Sequence, residues 1–190
     1  GSANIAIGND VLGDQGPTTG THNFAAGDRS LRYLTSGGSN IGIGAYTLNY
    51  VTSTSGNIAM GLYAGHYIRG GDDNIFIGRY SGFGGVEASP FTSVNYNIGI
   101  GFKTLAEVLT SGNVAIGYEA GQLASSGSGN TFIGYQSGKG NNSAPYSTGG
   151  NNTAVGLQAL TAFTTGATNV AVGSYSLDAI TTGYANVGIG

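Results

Sequence analysis

Apolar residues recur along the chain in short bursts, and each burst follows an asparagine. The bursts have the form Asn-x-(Ala/Gly/Phe)-(Ile/Val/Met)-Gly, with one weak copy at residues 23–27 where Ala26 replaces the branched residue. The asparagines are Asn4, Asn23, Asn40, Asn57, Asn74, Asn97, Asn113, Asn130, Asn152, Asn169 and Asn186. Their spacings are 19, 17, 17, 17, 23, 16, 17, 22, 17 and 17 residues. A fixed period of this size predicts a solenoid of stacked units that cannot fold alone.

Within each repeat, residues are counted from the asparagine as position 0. Positions 1 and 3 are mostly branched and apolar, as in Ile41 and Ile43, and this alternation predicts a strand that buries these two positions. Position 4 is glycine in all eleven repeats, which suits a tight corner with positive φ. A second short strand is predicted at residues 45–48 and at 102–105, followed by a Thr/Ser-Gly turn.

Seventeen residues are too few for a βαβ unit and show no helical period. The sequence therefore predicts an all-β fold, a parallel β-roll or β-solenoid with coils of about 17 residues. The coils should stack about 4.8 Å apart, and stacking aligns the asparagines into an inward-facing, hydrogen-bonded ladder. Two branched side chains per coil make a thin core, so we expect several chains to associate.

The motif Asn-x-Ala-Ile-Gly-x-x-Ala-(Leu/Gly), carried by residues 113–121 and 130–138, resembles the head repeats of trimeric autotransporter adhesins. It is more similar to longer-period repeats of phage tail fibres and bacterial fibre proteins. The resemblance implies a left-handed roll, an intertwined homotrimer and attachment to a cell surface. It also implies a location outside the cell or on a virion fibre. The chain departs from the adhesin heads in having a longer period.

Residues 1–2 are typical of the remnant of a removed affinity tag, and residues 3–190 form a single repeat array. The array ends in mid-repeat, so we interpret the chain as a piece of a longer one. A net charge of −3 argues against nucleic acid as a partner, and there is no apolar run long enough for a membrane span. The absence of cysteine excludes a disulfide framework, and no cofactor or metal is expected.

Three repeats are longer than the rest, with insertions near 13–22, 83–96 and 139–151, and each contains one of the three prolines. Extra residues in a solenoid form surface loops that often carry function. The aromatic residues Phe83, Phe91, Tyr96 and Tyr146 in or beside two of these insertions are candidate stacking platforms for sugar rings. The alternative is that they fold back and cover the edge of the roll.

Position 6 is mostly polar, which predicts an outward direction, and three consecutive repeats place Tyr46, Tyr63 and Tyr80 there. This column is a second candidate for glycan or protein binding. The alternative is mutual stacking and packing in the trimer. Two charged neighbour pairs in the same column, Asp10 with Arg29 and Lys103 with Glu119, are candidate ion pairs.

Catalytic constellations are missing, because His22 and His66 stand alone and no nucleophile has a base near it in sequence. The sequence thus favours a non-enzymatic fibre or adhesin segment that binds a cell-surface glycan or protein. One alternative is a polysaccharide depolymerase with a carboxylate pair drawn from Glu87, Glu107 and Glu119. Another is ice binding by the hydroxyl groups of the Thr/Ser turns.

Overall fold

Each repeat contributes one three-residue strand to a single parallel sheet. The computed structural model describes residues 1–13, 16–84, 94–141 and 147–190. The strands in these ranges are β1 (Ile5–Ile7), β2 (Phe24–Ala26), β3 (Ile41–Ile43), β4 (Ile58–Met60), β5 (Ile75–Ile77), β6 (Ile98–Ile100), β7 (Val114–Ile116), β8 (Thr131–Ile133), β9 (Thr153–Val155), β10 (Val170–Val172) and β11 (Val187–Ile189). Strand order in the sheet follows chain order from β1 to β11, so the predicted all-β solenoid is confirmed.

The sheet turns its branched side chains outward, so the prediction that positions 1 and 3 form the core was wrong. Position 2 is the buried one, with Ala59 and Phe76 fully inaccessible, whereas Ile43 at position 3 is 37% exposed. The interior is too narrow for a column of large residues there. A methyl group added at Gly42 would overlap the hydroxyls of Ser30 and Thr47 from the opposite wall.

The core is filled from the other half of each coil. Buried leucines at position 8 and apolar residues at position 11 face the sheet; they are Leu31, Leu48, Leu105 and Leu160, and Leu34, Val51, Ile68, Val108 and Phe163. The second strand predicted at residues 45–48 is a turn instead. Tyr46 and Leu48 have φ values of 60° and 44°, and β-strands require negative φ.

Large and small residues alternate across the interior so that its volume stays filled. Phe132 lies at position 2 where most repeats have Ala or Gly, and position 8 is glycine in the same coil and in the preceding one. A methyl group added at either Gly121 or Gly138 would press on the Phe132 ring. One phenylalanine therefore occupies the space of two leucines. Phe76 has the same relation to Gly65 and Gly82.

The asparagines form the predicted inward ladder. The Oδ1 of Asn40 accepts hydrogen bonds from the backbone N–H of Asn57 at 3.1 Å and from its Nδ2 at 3.2 Å. The same Nδ2 also donates to the carbonyl of Gly71, 3.0 Å away in the following coil. Because Asn57 is fully buried, each of these bonds is shielded from water. Between the two end coils, such asparagines link their own coil to the coils before and after it, as Asn57 does with Asn40 and Asn74.

The tight corner predicted at position 4 is present. Gly61 has a φ of 118°, and a methyl group there would lie 2.9 Å from the backbone of Gly78 in the next coil. Both the backbone conformation and the spacing between coils therefore require glycine. Val94, the first described residue after the longest insertion, is buried in the core. No helix in the part of the chain that the structure describes is long and apolar enough to cross a membrane.

Candidate functional site

The surface of the rod has two long faces of different chemistry. The sheet face consists of positions 1 and 3, and none of its residues is charged. The charged face consists of the outward-facing residues of positions 5 to 12 and contains all six cationic side chains, Arg29, Arg32, Arg69, Arg79, Lys103 and Lys139. Along the sheet face, Met60, Ile100 and Ile133 at position 3 are between 36% and 38% exposed, and Ile7 and Ile189 in the end coils are 59% and 79% exposed.

The charged face begins with an aromatic block, made of the position 6 and position 10 tyrosines with His66 and Phe83 between them. Its eight members are Tyr33, Tyr46, Tyr50, Tyr63, Tyr67, Tyr80, His66 and Phe83. Tyr63 stacks on Tyr46 and Tyr80 with centroid distances of 4.9 and 5.4 Å. The position 10 tyrosines stack in the same way at 5.1 and 5.3 Å.

His66 fills the gap between the two tyrosine stacks. Its ring meets Tyr63 and Tyr67 edge to face at 4.9 and 4.4 Å, and its Nδ1 lies 3.0 Å from the carbonyl oxygen of Tyr46. Only 6% of the residue is exposed. Since stacked rings cover one another's faces, the block presents mainly ring edges to solvent. A sugar ring that packs on an aromatic face can therefore bind only at the end of the block, where the face of the last ring is not covered by another ring.

A cavity of about 340 Å³ opens at that end. It is lined by Tyr80, Phe83, Lys103, Ala106, Glu107 and Gln122. One face of the Phe83 ring stacks on His66, with the ring centroids 5.7 Å apart. The next coil lies beside the other face. There position 9 is the small Ala106, whereas the coils on either side place Phe83 and Gln122 at position 9. The cavity thus exists because the aromatic column is interrupted.

Three polar side chains line the cavity. Among the described residues, no side-chain hydrogen bond or ion pair involves Lys103, Glu107 or Gln122. Lys103 does lie over the ring of Phe102, with its Nζ 5.4 Å from the centroid. Burial raises the pKa of the Glu107 carboxyl, since a desolvated carboxylate without a partner is disfavoured. The cavity therefore offers an ammonium, a carboxyl and an amide to a ligand.

Glu119, a second glutamate of this face, differs from Glu107 in having hydrogen-bond partners. Burial by itself would raise the pKa of Glu119, but hydrogen bonds from Lys139 and Gln136, with the charge of Lys139, hold it below its ordinary value. The Nζ of Lys139 donates to Glu119 Oε2 at 2.8 Å, and Gln136 Nε2 donates to the same oxygen at 2.9 Å. The predicted pair with Lys103 was therefore wrong. The predicted pair of Asp10 and Arg29 is present at 3.6 Å.

A further aromatic ladder, at position 5, was not predicted from the sequence. Phe102, Tyr118 and Tyr135 stack at 5.2 and 5.0 Å, and the guanidinium of Arg79 lies 4.8 Å from the Phe102 centroid. Tyr118 and Tyr135 are 42% and 49% exposed. Aligning position 5 from coil to coil would have found this ladder, because the three aromatics occupy it in consecutive repeats.

The predicted site residues lie in different parts of the structure. Phe83 and Tyr80 meet at the cavity, with centroids 5.3 Å apart, while Tyr46 and Tyr63 lie within the stack. Tyr96 is 65% exposed just before Asn97, away from the lining of the cavity. Phe91 and Tyr146 lie outside the described residues. Within the described ranges, no group of three or more His, Asp or Glu residues could hold a metal ion.

Comparison with known proteins yields no relative. No protein-family model matches the chain, and neither a curated protein nor a solved structure matches it.

Proposed function

We propose that the chain is a segment of a homotrimeric, non-enzymatic attachment fibre that recognises glycans on a cell surface. The observation that carries this proposal is the sheet face. It runs over all eleven strands, which is about 48 Å at 4.8 Å per coil, and none of its residues is charged. Long uncharged apolar surfaces are characteristic of association sites, because the core of an interface is depleted of charge.

The geometry of this face suits a parallel assembly around a threefold axis. Positions 1 and 3 form two parallel columns, and a cyclic trimer requires each chain to present two different surfaces to its neighbours. Each coil would then bury branched side chains against the equivalent coils of two partners. The resemblance of the repeats to trimeric adhesin heads and tail-fibre repeats supports the same assembly and a place on a cell or virion surface.

The charged face supports the recognition role. It differs from coil to coil, and it contains the aromatic block, the position 5 ladder and the cavity lined by Lys103, Glu107 and Gln122. Three copies in a trimer would convert a weak interaction at one site into firm attachment, with avidity gains of roughly 10²–10⁴ where the geometry allows.

The test is attachment of the labelled chain to cells and to an array of surface glycans. We expect binding to a subset of glycans, together with a trimeric mass. A stable trimer that binds no glycan would contradict the recognition role, and binding by a folded monomer would contradict the assembly.

A second candidate function, cleavage of polysaccharide, draws support from the two glutamates of the charged face. Their environments shift the pKa of Glu107 upward and that of Glu119 downward, as in pairs that divide the roles of acid and base. Against this, the Glu119 carboxylate is tied to Lys139 and Gln136. Release of new reducing ends from a polysaccharide, lost in Glu107→Gln, would favour this function over simple attachment.

Ice binding gains less support. The hydroxyls of Thr35 and Thr164 in the turns donate to backbone carbonyls of the next coil at 3.0 and 3.1 Å. These hydroxyl hydrogens therefore hold the coils together. Thermal hysteresis in a solution of the protein would support ice binding.

A further inference from the structure

The cavity at the end of the aromatic block has an apolar wall and a polar wall. Phe83, Tyr80 and Ala106 form the first, and the side chains of Lys103, Glu107 and Gln122 form the second. Tyr80 meets Phe83 edge to face, so the two rings enclose a corner. Such a corner fits a ligand whose one side carries C–H groups and whose rim carries hydroxyls.

The two charges of the cavity are of opposite sign, and this limits the charge of the ligand. Lys103 and Glu107 form no ion pair with each other or with another described residue. An anionic ligand would be repelled by the carboxylate, and a cationic one by the ammonium. A neutral ligand with hydroxyl groups satisfies both, because a hydroxyl donates to the carboxylate and accepts from the ammonium. The amide of Gln122 can do either.

The size of the cavity limits the ligand as well. A volume of about 340 Å³ lies at the lower end of the roughly 300–1,000 Å³ typical of ligand pockets. It suits one sugar ring better than an extended oligosaccharide.

Resting on the proposed attachment role, we infer that this cavity binds a single neutral pyranose residue at the end or at a branch of a surface glycan. The ring packs its C–H face on Phe83. Adjacent hydroxyls of the sugar donate to Glu107 and accept from Lys103 and Gln122. Each cavity lies within one chain, so a trimer carries three.

The probes are methyl glycosides of neutral hexoses in the gluco, galacto and manno series, with methyl glycosides of sialic acid and glucosamine as charged comparisons. Saturation-transfer NMR and titration calorimetry with the intact chain report binding. We expect at least one neutral glycoside to bind saturably and weakly, in the millimolar range, since one sugar has few atoms to contribute. The charged sugars should bind more weakly than the best neutral one.

Two variants test the walls of the cavity, and each has a matched control. Glu107→Gln keeps the shape of the side chain and should weaken binding about tenfold or more, because a hydrogen bond to a charged group is lost. Glu119→Gln changes the same residue type outside the cavity and should leave binding unchanged. Phe83→Leu should also weaken binding about tenfold, whereas Tyr135→Leu should not, because the Tyr135 ring stacks on Tyr118 and does not line the cavity. Thermal unfolding of all four variants shows whether they remain folded.

The outcomes separate this inference from the proposed function. Binding that survives both Glu107→Gln and Phe83→Leu in folded protein overturns the cavity assignment, even if the chain still attaches to cells through another surface. Failure of every neutral glycoside, or a preference for a charged sugar, overturns the ligand class. A cavity that binds a neutral glycoside in a chain that attaches to no cell upholds the inference and contradicts the attachment role.

Discussion

The sheet face and the charged face are built from the same repeat, yet they differ in backbone and in variety. On the sheet face, the strand backbone repeats with little change, and position 3 holds a branched or similar apolar residue in ten of eleven coils. On the charged face, position 6 has positive φ in described coils, for example 60° at Tyr63 and 53° at Lys103, but its side chain changes in size and charge.

The proposed function assigns a different role to each face. A uniform surface can pack against identical copies of itself at every level of the rod. A varied surface creates local features, such as the cavity beside Phe83. Under the proposed function, the same coil would use one side for assembly and the other for recognition, so substitutions on the two sides should have separable effects.

The largest effect is expected from a charge on the sheet face. Ile116→Lys would place an ammonium in the proposed interface three times per trimer, and a buried charge without a partner costs several kcal/mol. We expect the assembly to dissociate, as measured by light scattering. Tyr175→Lys is the control on the charged face, where the same column already holds Lys103. Equal loss of assembly in both variants would remove the distinction between the faces.

The next effect concerns the interior that both faces share. Phe132→Ala should destabilise the chain by about 3–5 kcal/mol, because Gly121 and Gly138 leave the space unfilled. Adding Gly138→Leu should restore part of the stability, since the coil then resembles the one with Ala154 and Leu160. The backbone permits this, with φ values of 53° at Gly138 and 52° at Leu160. Chemical denaturation measures both steps; a double variant less stable than Phe132→Ala would contradict the volume argument.

A smaller effect is expected within the aromatic block. Tyr63→Ala removes two stacked pairs, worth about 0.5–1.5 kcal/mol each, and the weaker edge-to-face contacts with His66 and Phe83, whereas Tyr175 forms no ring pair with a described residue. The two positions have φ values of 60° and 59°, so the strain of alanine cancels in the comparison. We expect Tyr63→Ala to be about 1–3 kcal/mol more destabilising than Tyr175→Ala. Equal unfolding free energies would mean that the stack contributes nothing to stability.

The smallest effect is the dependence on pH of the two glutamates. The folded-state pKa of Glu119 is lowered from an ordinary 4.5, so its stabilisation is complete above that pH and is lost as the pH falls through the folded value. Glu119→Gln should therefore lower the free energy of unfolding by up to about 1 kcal/mol at neutral pH and leave it unchanged in acid.

The raised pKa of Glu107 has the opposite effect on the pH dependence of stability. Its charged form destabilises the fold above the raised pKa, and this penalty disappears as the pH falls towards 4.5. Glu107→Gln should be neutral or stabilising at neutral pH. Unfolding curves of both variants between neutral and acidic pH measure the difference, and a destabilised Glu107→Gln would contradict the account of an unpaired carboxylate.

The sequence predicted the solenoid and the asparagine ladder because both follow from a fixed period. It did not predict which side of the strand is the interior. Alternation shows that Ile41 and Ile43 share a face, but the narrow interior admits Gly42 there and leaves the larger residues outside. The turn at residues 45–48 was predicted as a strand because positive φ at Tyr46 and Leu48 has no signature in residue type.

Part of the candidate site was within reach of the sequence and part was not. Phe83 and Tyr80 were predicted as ligand contacts, although for sugar binding on a loop and on a tyrosine column rather than in one cavity. Lys103 and Gln122 were not predicted, because their role depends on the small Ala106 lying between larger neighbours. That relation appears only when the coils are superimposed.

The mass of the native assembly in solution tests the central claim, that the outward sheet face is a surface for self-association. Three chains of 19.0 kDa give 57 kDa, and light scattering should find this mass at concentrations well below those that force weak association. A single species of 19.0 kDa that keeps its β-structure would contradict the account.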